Sequence, residues 1–172
     1  LTGVDLNSIA DIPSGTGLGS SSSFTVGLLN AVRTYLGKAT SGEKLGALAC
    51  DVELNKVGSP IGKQDQYAAA CGGLNFITFY GDETVNVEKI IMYPEKKHEL
   101  EENLMMIFVG GEHSANAILK QQSAAISDSK KFEIQKNMVK LAYSLRECLE
   151  ENNIEDFALI LHEVWLIKKS LT

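Results

Sequence analysis

Residues 11–24, DIPSGTGLGSSSSF, constrain this chain more than any other segment. Glycines alternate with single residues in its first part, and a run of serines follows directly before a helical apolar pattern. Glycines allow positive φ angles and close approach of the backbone to a ligand. A helix that starts at the serines adds unpaired N–H donors and the positive end of its dipole. The segment therefore predicts a loop that binds phosphate through its backbone.

The same residues also fit a simpler interpretation, a glycine-rich turn with a serine N-cap. Phosphate binding is favoured by the regular spacing of Gly15, Gly17 and Gly19 and by Pro13, which stiffens the approach to the turn. No lysine follows the last glycine, so the Walker A pattern is absent. The dinucleotide-binding fingerprint is also absent. It needs two residues between its second and last glycines, and only Leu18 stands between Gly17 and Gly19.

The composition is typical of a soluble globular protein. The chain has 172 residues, of which 44% are hydrophobic and 22% charged, enough for one domain or a domain and a half. A net charge of −6 without a basic cluster gives no support to nucleic-acid binding. No apolar run is long enough to predict a membrane span. The three cysteines lack a CxxC motif, which favours reduced thiols in a cytoplasmic protein.

Apolar periodicity predicts the elements of the first half of the chain. We expect a strand over 4–9 before the glycine-rich segment and a helix over 20–36 after it, ended by Gly37. The apolar stripe of that helix comprises Phe24, Leu28, Val32 and Tyr35. A second helix over 41–55 should follow a capping box of Thr40 and Glu43. Its apolar face comprises Leu45, Leu48, Ala49 and Val52.

The second half begins with shorter elements and ends in helices, which makes the whole an α+β pattern. The expected elements are a short helix over 63–71, a hairpin over 74–80 and 85–90, a charged connection over 92–103 and a buried strand over 104–109. A helix should begin near Ser114, and apolar stripes continue over 138–149 and 154–165. On the last helix His162 and Lys169 share one flank beside Trp165, which favours surface residues next to a core tryptophan.

Two carboxylates are candidates for chemistry. Glu53 lies about 80° from Leu45 on a helical wheel, at the edge of the apolar stripe, where it could face a cleft or remain a solvated flank residue. Asp65 falls in the first turn of the short helix, where the helix dipole favours its ionised form. A helix N-terminal charge explains Asp65 by itself, but it leaves the crowding of polar residues over 63–67 unexplained.

Three stretches together resemble the GHMP kinase family: residues 13–22 (PSGTGLGSSS), Glu53, and residues 62–66 (GKQDQ). The first looks like the second motif of that family, a proline followed by a glycine-rich loop that ends Gly-Leu-Gly-Ser-Ser. The resemblance runs through the whole chain but covers only the middle of such a protein. Because the N-terminal and C-terminal motifs of the family have no counterpart, we expect the chain to be a fragment.

The resemblance implies a fold and a division into domains. It implies a two-part α+β architecture with a ribosomal-protein-like N-terminal half and a ferredoxin-like C-terminal half, both incomplete here. Residues 1–95 would form the N-terminal, ATP-phosphate-binding part and residues 96–172 the C-terminal part. The oligomeric state cannot be read from the sequence.

The resemblance also implies roles for single residues. The residues expected to bind the ATP phosphates are Pro13, Gly15, Thr16, Gly17, Leu18, Gly19, Ser20, Ser21 and Ser22. Ser20 and Glu53 match the Mg²⁺ ligands of the family, and a hard cation prefers such oxygen donors. Asp65 matches the catalytic aspartate, which would orient the acceptor hydroxyl and take its proton.

A narrower resemblance, carried by residues 11–30, 60–76 and 162–171, is to bacterial kinases that phosphorylate the anomeric carbon of a sugar. It implies ATP- and Mg²⁺-dependent conversion of D-glycero-D-manno-heptose 7-phosphate to the 1,7-bisphosphate, in the cytoplasm and without a nucleic-acid or membrane partner. His113 stands where relatives tend to carry arginine, which weakens the expectation of a substrate-phosphate contact there.

Other functions stay open at this point. The alternatives are a galactose, fucose or N-acetylhexosamine 1-kinase, a non-catalytic paralogue that binds sugar and ATP, and a purely structural domain. The presence of Ser20, Glu53 and Asp65 favours an enzyme over the binding paralogue, which should tend to lose such residues. The full open reading frame would decide the case of a purely structural domain.

Overall fold

The computed structural model of the chain describes residues 3–12, 17–108 and 129–170. These residues divide into two compact units, the first ending at Ala70 and the second beginning at Cys71. Helices occur in both units, and a small antiparallel sheet occurs in the second. The expected mixture of helix and sheet is therefore confirmed. The domain boundary at 95/96 and the two-part architecture stay predictions.

The first unit consists of helices that follow the glycine-rich segment. They are α1 (Ser20–Tyr35), α2 (Gly42–Cys50), a π-helical segment (Asp51–Lys56) and α3 (Gln64–Cys71), whose last residue begins the second unit. Gly37 ends the first helix as predicted, with φ 69° and an N–H that donates to the carbonyl of Thr34. The N-cap of α2 is Ser41, not Thr40 of the predicted capping box, because the Thr40 hydroxyl contacts Arg33 instead.

The core of the first unit lies between α1 and α2. Val26, Leu45 and Ala49 form it, with Leu29 and Ala70 packed against them. The predicted stripe of α1 is therefore wrong, because α2 packs against the face of Val26 and leaves Phe24, Leu28 and Tyr35 exposed. Periodicity predicted the helix, but the position of its neighbour decided which face is buried.

The second unit packs helices beside a hairpin. Strands β1 (Asn75–Phe79) and β2 (Val85–Lys89) pair antiparallel, as predicted, and Asn75 lies opposite Lys89. Helices α4 (Pro94–Glu102), α5 (Ser129–Glu150) and α6 (Ile154–Lys169) follow, and α5 packs against α6. On α5, Arg146 donates to the Glu88 carboxylate at 3.0 Å and lies over the ring of Phe76. These contacts hold α5 against the hairpin.

The charged connection predicted over 92–103 is instead the helix α4. Pro94 occupies its first turn, where its missing N–H costs no hydrogen bond. Side chains one turn apart also form ion pairs, Lys97 with Glu101 and His98 with Glu102. Since this helix has little apolar surface to bury, the apolar pattern did not reveal it.

Two predicted strands are wrong. Residues 4–9 and 104–108 have no regular structure, and no segment among the described residues pairs with either. A strand needs a neighbour to satisfy its backbone, so an apolar run alone does not make one. Side chains over 104–108 are 62–84% exposed. The helix expected near Ser114 and the departure at His113 lie outside the described residues.

The helices predicted over 138–149 and 154–165 are confirmed as α5 and α6. Trp165, expected in the core, is 57% exposed, because no described residue covers that face of α6. His162 on the same helix is exposed, as its interpretation as a surface residue requires. None of the helices within the described ranges is long and apolar enough to cross a membrane.

Candidate functional site

The end of the glycine-rich segment forms the N-terminus of α1. Gly17 and Gly19 have φ angles of 77° and 66°, values that residues with a β-carbon rarely adopt. Gly19 is the N-cap residue, and the first helical bond runs from the Ser23 N–H to its carbonyl at 2.9 Å. Its N-cap residue makes no side-chain hydrogen bond to the helix, and no capping side chain is found among the described residues, which leaves the first N–H groups for a ligand. Residues 13–16, which carry the remaining predicted phosphate contacts, lie outside the described ranges.

Glu53 lies on the π-helical segment that directly follows α2. In this segment the Val57 N–H donates to the carbonyl of Val52, five residues back, at 2.9 Å. The continuous α-helix predicted over 41–55 is therefore correct only as far as Cys50. A wider turn rotates less per residue, which brings Glu53 close to the buried face of Ala49. Glu53 is 3% exposed, so its interpretation as a solvated flank residue is wrong.

The Glu53 carboxylate is the centre of a buried polar network. Its Oε1 accepts a hydrogen bond from Ser21 Oγ at 2.5 Å, and its Oε2 accepts one from Ser22 Oγ at 2.8 Å. Gln66 Nε2 donates to Oε2 as well. The partners come from α1 and α3, so the network joins three elements of the first unit. Burial of a carboxylate is costly without such donors, and the network offsets that cost.

The serines at the start of α1 differ in their surroundings. Ser22 is 3% exposed and its hydroxyl is directed at Glu53, away from solvent. Ser21 also donates to Glu53, whereas Ser20, the predicted metal ligand, occupies the first position of the helix and is half-buried. The hydroxyls that contact Glu53 are thus those of Ser21 and Ser22, and the role of Ser20 stays a prediction.

Asp65 lies in the first turn of α3 with its side chain exposed. A methyl group placed on Gly19 would lie 3.5 Å from the Asp65 Oδ2 atom, so the carboxylate lies beside the backbone of the glycine-rich segment. Packing in the first unit has therefore brought together the predicted acid–base residue and the predicted phosphate loop. Their catalytic roles stay predictions.

Gln66 was not singled out from the sequence, although it is completely buried. Its Nε2 atom donates to Glu53, but its Oε1 atom is buried and has no hydrogen-bond partner within the described ranges. A signal was available: Gln66 precedes Ala70 by four positions, and Ala70 packs against the core. That spacing places the glutamine on the inner face of a helix, an unusual position for an uncharged amide.

Cys50 is buried next to this network. Burial raises the pKa of its thiol to about 11, a small opposing effect comes from Lys63, and Glu53 raises the pKa slightly further. The thiol is therefore neutral near pH 7 and is a poor nucleophile. All three cysteines are free thiols, as predicted; Cys71 and Cys148 are half-buried.

The oxygen donors around Glu53 fit a hard cation such as Mg²⁺. A carboxylate has about four acceptor positions. Ser21 occupies one on Oε1, while Ser22 and Gln66 occupy those on Oε2, so Oε1 retains capacity for a further ligand. Mg²⁺ is held in proteins by one or two carboxylates together with waters and phosphate oxygens. Glu53 with the neighbouring serine hydroxyls would hold such an ion.

Comparison with known proteins shows which proteins this chain is similar to. Residues 2–73 match the family model for the GHMP kinases N terminal domain. The chain is 30% identical to D-glycero-alpha-D-manno-heptose 7-phosphate kinase of Campylobacter jejuni, over 97% of this chain and 49% of that protein. It is 31% identical to a D-glycero-D-manno-heptose 1-phosphate kinase from Bacteroides thetaiotaomicron, whose crystal structure matches with a TM-score of 0.75 over 92% of this chain and 46% of that one.

A galactokinase from Streptomyces coelicolor is 38% identical over 71 residues, which are 41% of this chain and 18% of that protein. The chain spans about half the length of the two heptose phosphate kinases, which cover it almost completely. The segment matched by the family model contains the glycine-rich residues, Glu53 and Asp65. The resemblance inferred from the motifs is thereby confirmed over residues 2–73, which match a GHMP kinase N-terminal domain.

Proposed function

We propose that the protein is an ATP- and Mg²⁺-dependent sugar kinase that phosphorylates the anomeric C1 hydroxyl of D-glycero-D-manno-heptose 7-phosphate to give the 1,7-bisphosphate. Two relatives at 30% and 31% identity that carry heptose phosphate kinase names support the substrate class. Those names differ in the position of the substrate phosphate. The 7-phosphate form follows the narrower sequence resemblance.

The observation that carries the proposal is the position of Asp65 beside Gly19. Phosphoryl transfer is accelerated mainly by positioning and by electrostatic stabilisation. An aspartate next to a phosphate-binding loop can accept a hydrogen bond from a sugar hydroxyl and hold that oxygen near the terminal phosphate of ATP. As the new O–P bond forms and the bond to ADP breaks, Asp65 takes the proton of the hydroxyl.

The N-terminus of α1 would bind the phosphates. Its uncapped N–H groups and the left-handed Gly17 and Gly19 leave donors that can approach a phosphate closely. The helix dipole favours negative charge at this end. The proposed binding segment is completed by Pro13, Gly15, Thr16, Leu18, Ser20, Ser21 and Ser22.

Glu53 would hold the cation. A divalent ion bound there neutralises charge that develops on the transferring phosphates. The proposed ligands are Glu53 and Ser20, with Ser21 as a second hydroxyl close to the carboxylate. Ser20→Ala should raise the Mg²⁺ concentration needed for half-maximal activity. A fully active Ser20→Ala enzyme with an unchanged Mg²⁺ dependence would show that the metal is held by other residues.

The proposal includes the finer architecture of the family: a ribosomal-protein-like part over 1–95 and a ferredoxin-like part over 96–172. It also includes a cytoplasmic location and a small-molecule sugar phosphate as the partner. Limited proteolysis of the full-length protein tests the boundary, which should be cleaved in the irregular residues 90–93 just before α4 if two independently folded parts meet there.

A galactose-type sugar kinase is the second candidate, because the galactokinase match has the highest identity of the three relatives compared. An assay of ADP release by the full-length protein with Mg-ATP and a panel of sugars distinguishes the heptose phosphate kinase from the galactose-type kinase. The panel comprises heptose 7-phosphate, heptose 1-phosphate, galactose, fucose and an N-acetylhexosamine. Turnover confined to heptose 7-phosphate is the expected result.

Asp65→Asn is the matched control variant for this assay. It should lower turnover while Mg-ATP affinity stays close to the wild-type value, because the proposed role of Asp65 lies with the acceptor hydroxyl. Unchanged turnover would remove Asp65 from the mechanism. Turnover on an unphosphorylated sugar would retain the kinase and discard the heptose phosphate. ATP binding without turnover on any sugar would indicate a binding protein.

A further inference from the structure

We propose that Gln66 is a positioning residue, which holds the Glu53 carboxylate in the orientation that a divalent cation requires. The inference rests on the proposed kinase function and extends it to a residue that no motif assigned. It starts from the network around Glu53, in which Gln66 is the contributor from α3.

The chemistry of the pair determines how the Gln66 amide is oriented. An ionised carboxylate can only accept hydrogen bonds, so the Nε2 atom of the amide must face Glu53. Gln66 Nε2 and Ser22 Oγ both donate to Oε2 of Glu53. With that oxygen occupied on two sides, the carboxylate cannot rotate freely, and Oε1 is held towards Ser21 and the start of α1.

The unpaired half of Gln66 indicates that the described residues alone leave the network incomplete. Its Oε1 atom has no partner among residues 3–12, 17–108 and 129–170, and the side chain is 0% exposed. Buried acceptors of this kind are rare and are usually satisfied by a water or a ligand. A water bound together with the cation is a donor of the right chemistry, since Mg²⁺ keeps several waters when it binds proteins.

The position of Gln66 in the chain adds a second consequence. Gln66 directly follows Asp65, and it ties α3 to the π-helical segment through Glu53. The same hydrogen bond therefore links the carboxylate proposed for the metal to the helix that carries the proposed acid–base residue. Groups in this outer layer of a metal site typically change metal affinity by about 10–100-fold when removed.

Mn²⁺ binding tests the inference separately from catalysis. The full-length protein with ADP is titrated with Mn²⁺, and bound ion is measured by electron paramagnetic resonance. Gln66→Leu removes the amide while keeping its approximate volume, and Gln66→Glu places a second carboxylate against Glu53. Gln135→Leu, a glutamine substitution on α5 in the second unit, is the control. Circular dichroism and the thermal midpoint show whether each variant is folded.

We expect the Mn²⁺ dissociation constant to rise about 10–100-fold in Gln66→Leu, with metal-free ADP affinity unchanged. In Gln66→Glu the excess negative charge should strengthen or weaken Mn²⁺ binding but in either case shift it from the wild-type value. Wild-type Mn²⁺ affinity in both folded variants would overturn the inference and leave the proposed function intact. Loss of folding in both variants would assign Gln66 a structural role alone and would also overturn it. Absence of Mn²⁺ binding by the wild-type protein would instead contradict the proposed function.

Discussion

Replacement of Ser22 by alanine tests whether the network around Glu53 is as tightly coupled as its geometry implies. Ser22 and Glu53 are each 3% exposed, and their hydrogen bond is 2.8 Å long. A hydrogen bond to a charged acceptor contributes about 1.5–3 kcal/mol, and a buried carboxylate that loses a donor cannot replace it with bulk water. Alanine also favours a helix over serine by about 0.5 kcal/mol, which offsets part of the loss.

Ser23→Ala is the matched control, because Ser23 is the next residue of α1 and is exposed. Both variants gain the same helix propensity, so the difference between them isolates the contact with Glu53. We expect Ser22→Ala to lower the free energy of unfolding by about 1.5–3 kcal/mol more than Ser23→Ala does. This difference in unfolding free energy is measured by urea denaturation of the full-length protein without nucleotide, monitored by far-ultraviolet circular dichroism. Equal midpoints and slopes for the two variants would refute the argument that Glu53 depends on Ser22.

Two further predictions concern the packing around the site. A β-carbon on Gly46 would lie 3.0 Å from Tyr67 Cδ1 and 3.2 Å from its backbone Cα, so Gly46→Ala should destabilise the protein by about 1–3 kcal/mol. Gly27→Ala, with open space around it in α1, should be neutral or stabilising, and equal thermal midpoints for the two variants would contradict this. The folded-state pKa of the Cys50 thiol, about 11, lies above its ordinary value of 9.0 because of burial. The native state therefore favours the neutral thiol, and its contribution to stability is complete below pH 9 and is lost as the pH rises towards 11. Unfolding free energies at pH 8 and pH 10.5 should diverge more in the wild type than in Cys50→Ala, and parallel changes would count against a buried thiol.

Elements whose signals are local were predictable from the sequence. Helix α1 begins after Gly19 and ends before Gly37, and a glycine that adopts a positive φ provides each boundary. The hairpin of β1 and β2 followed from two alternating runs around a short polar turn. The strands expected over 4–9 and 104–109 were not predictable in this way, because a strand depends on a neighbour that the apolar pattern does not specify.

The candidate site likewise has features that the sequence predicted and features that it did not. Residue types and their spacing along the chain were enough to select the glycine-rich segment, Glu53 and Asp65 as candidates. They also predicted the resemblance to GHMP kinases that the comparison confirmed over residues 2–73. The tertiary structure decided which groups meet. Glu53 is 32 positions from Ser21 and 13 from Gln66, and its contacts depend on the π-helical rotation and on how α1 and α3 pack against it. Helix boundaries are set by the conformational preferences of neighbouring residues, whereas the partner of a buried carboxylate is set by contacts between elements distant in the sequence, and these form only when the unit folds.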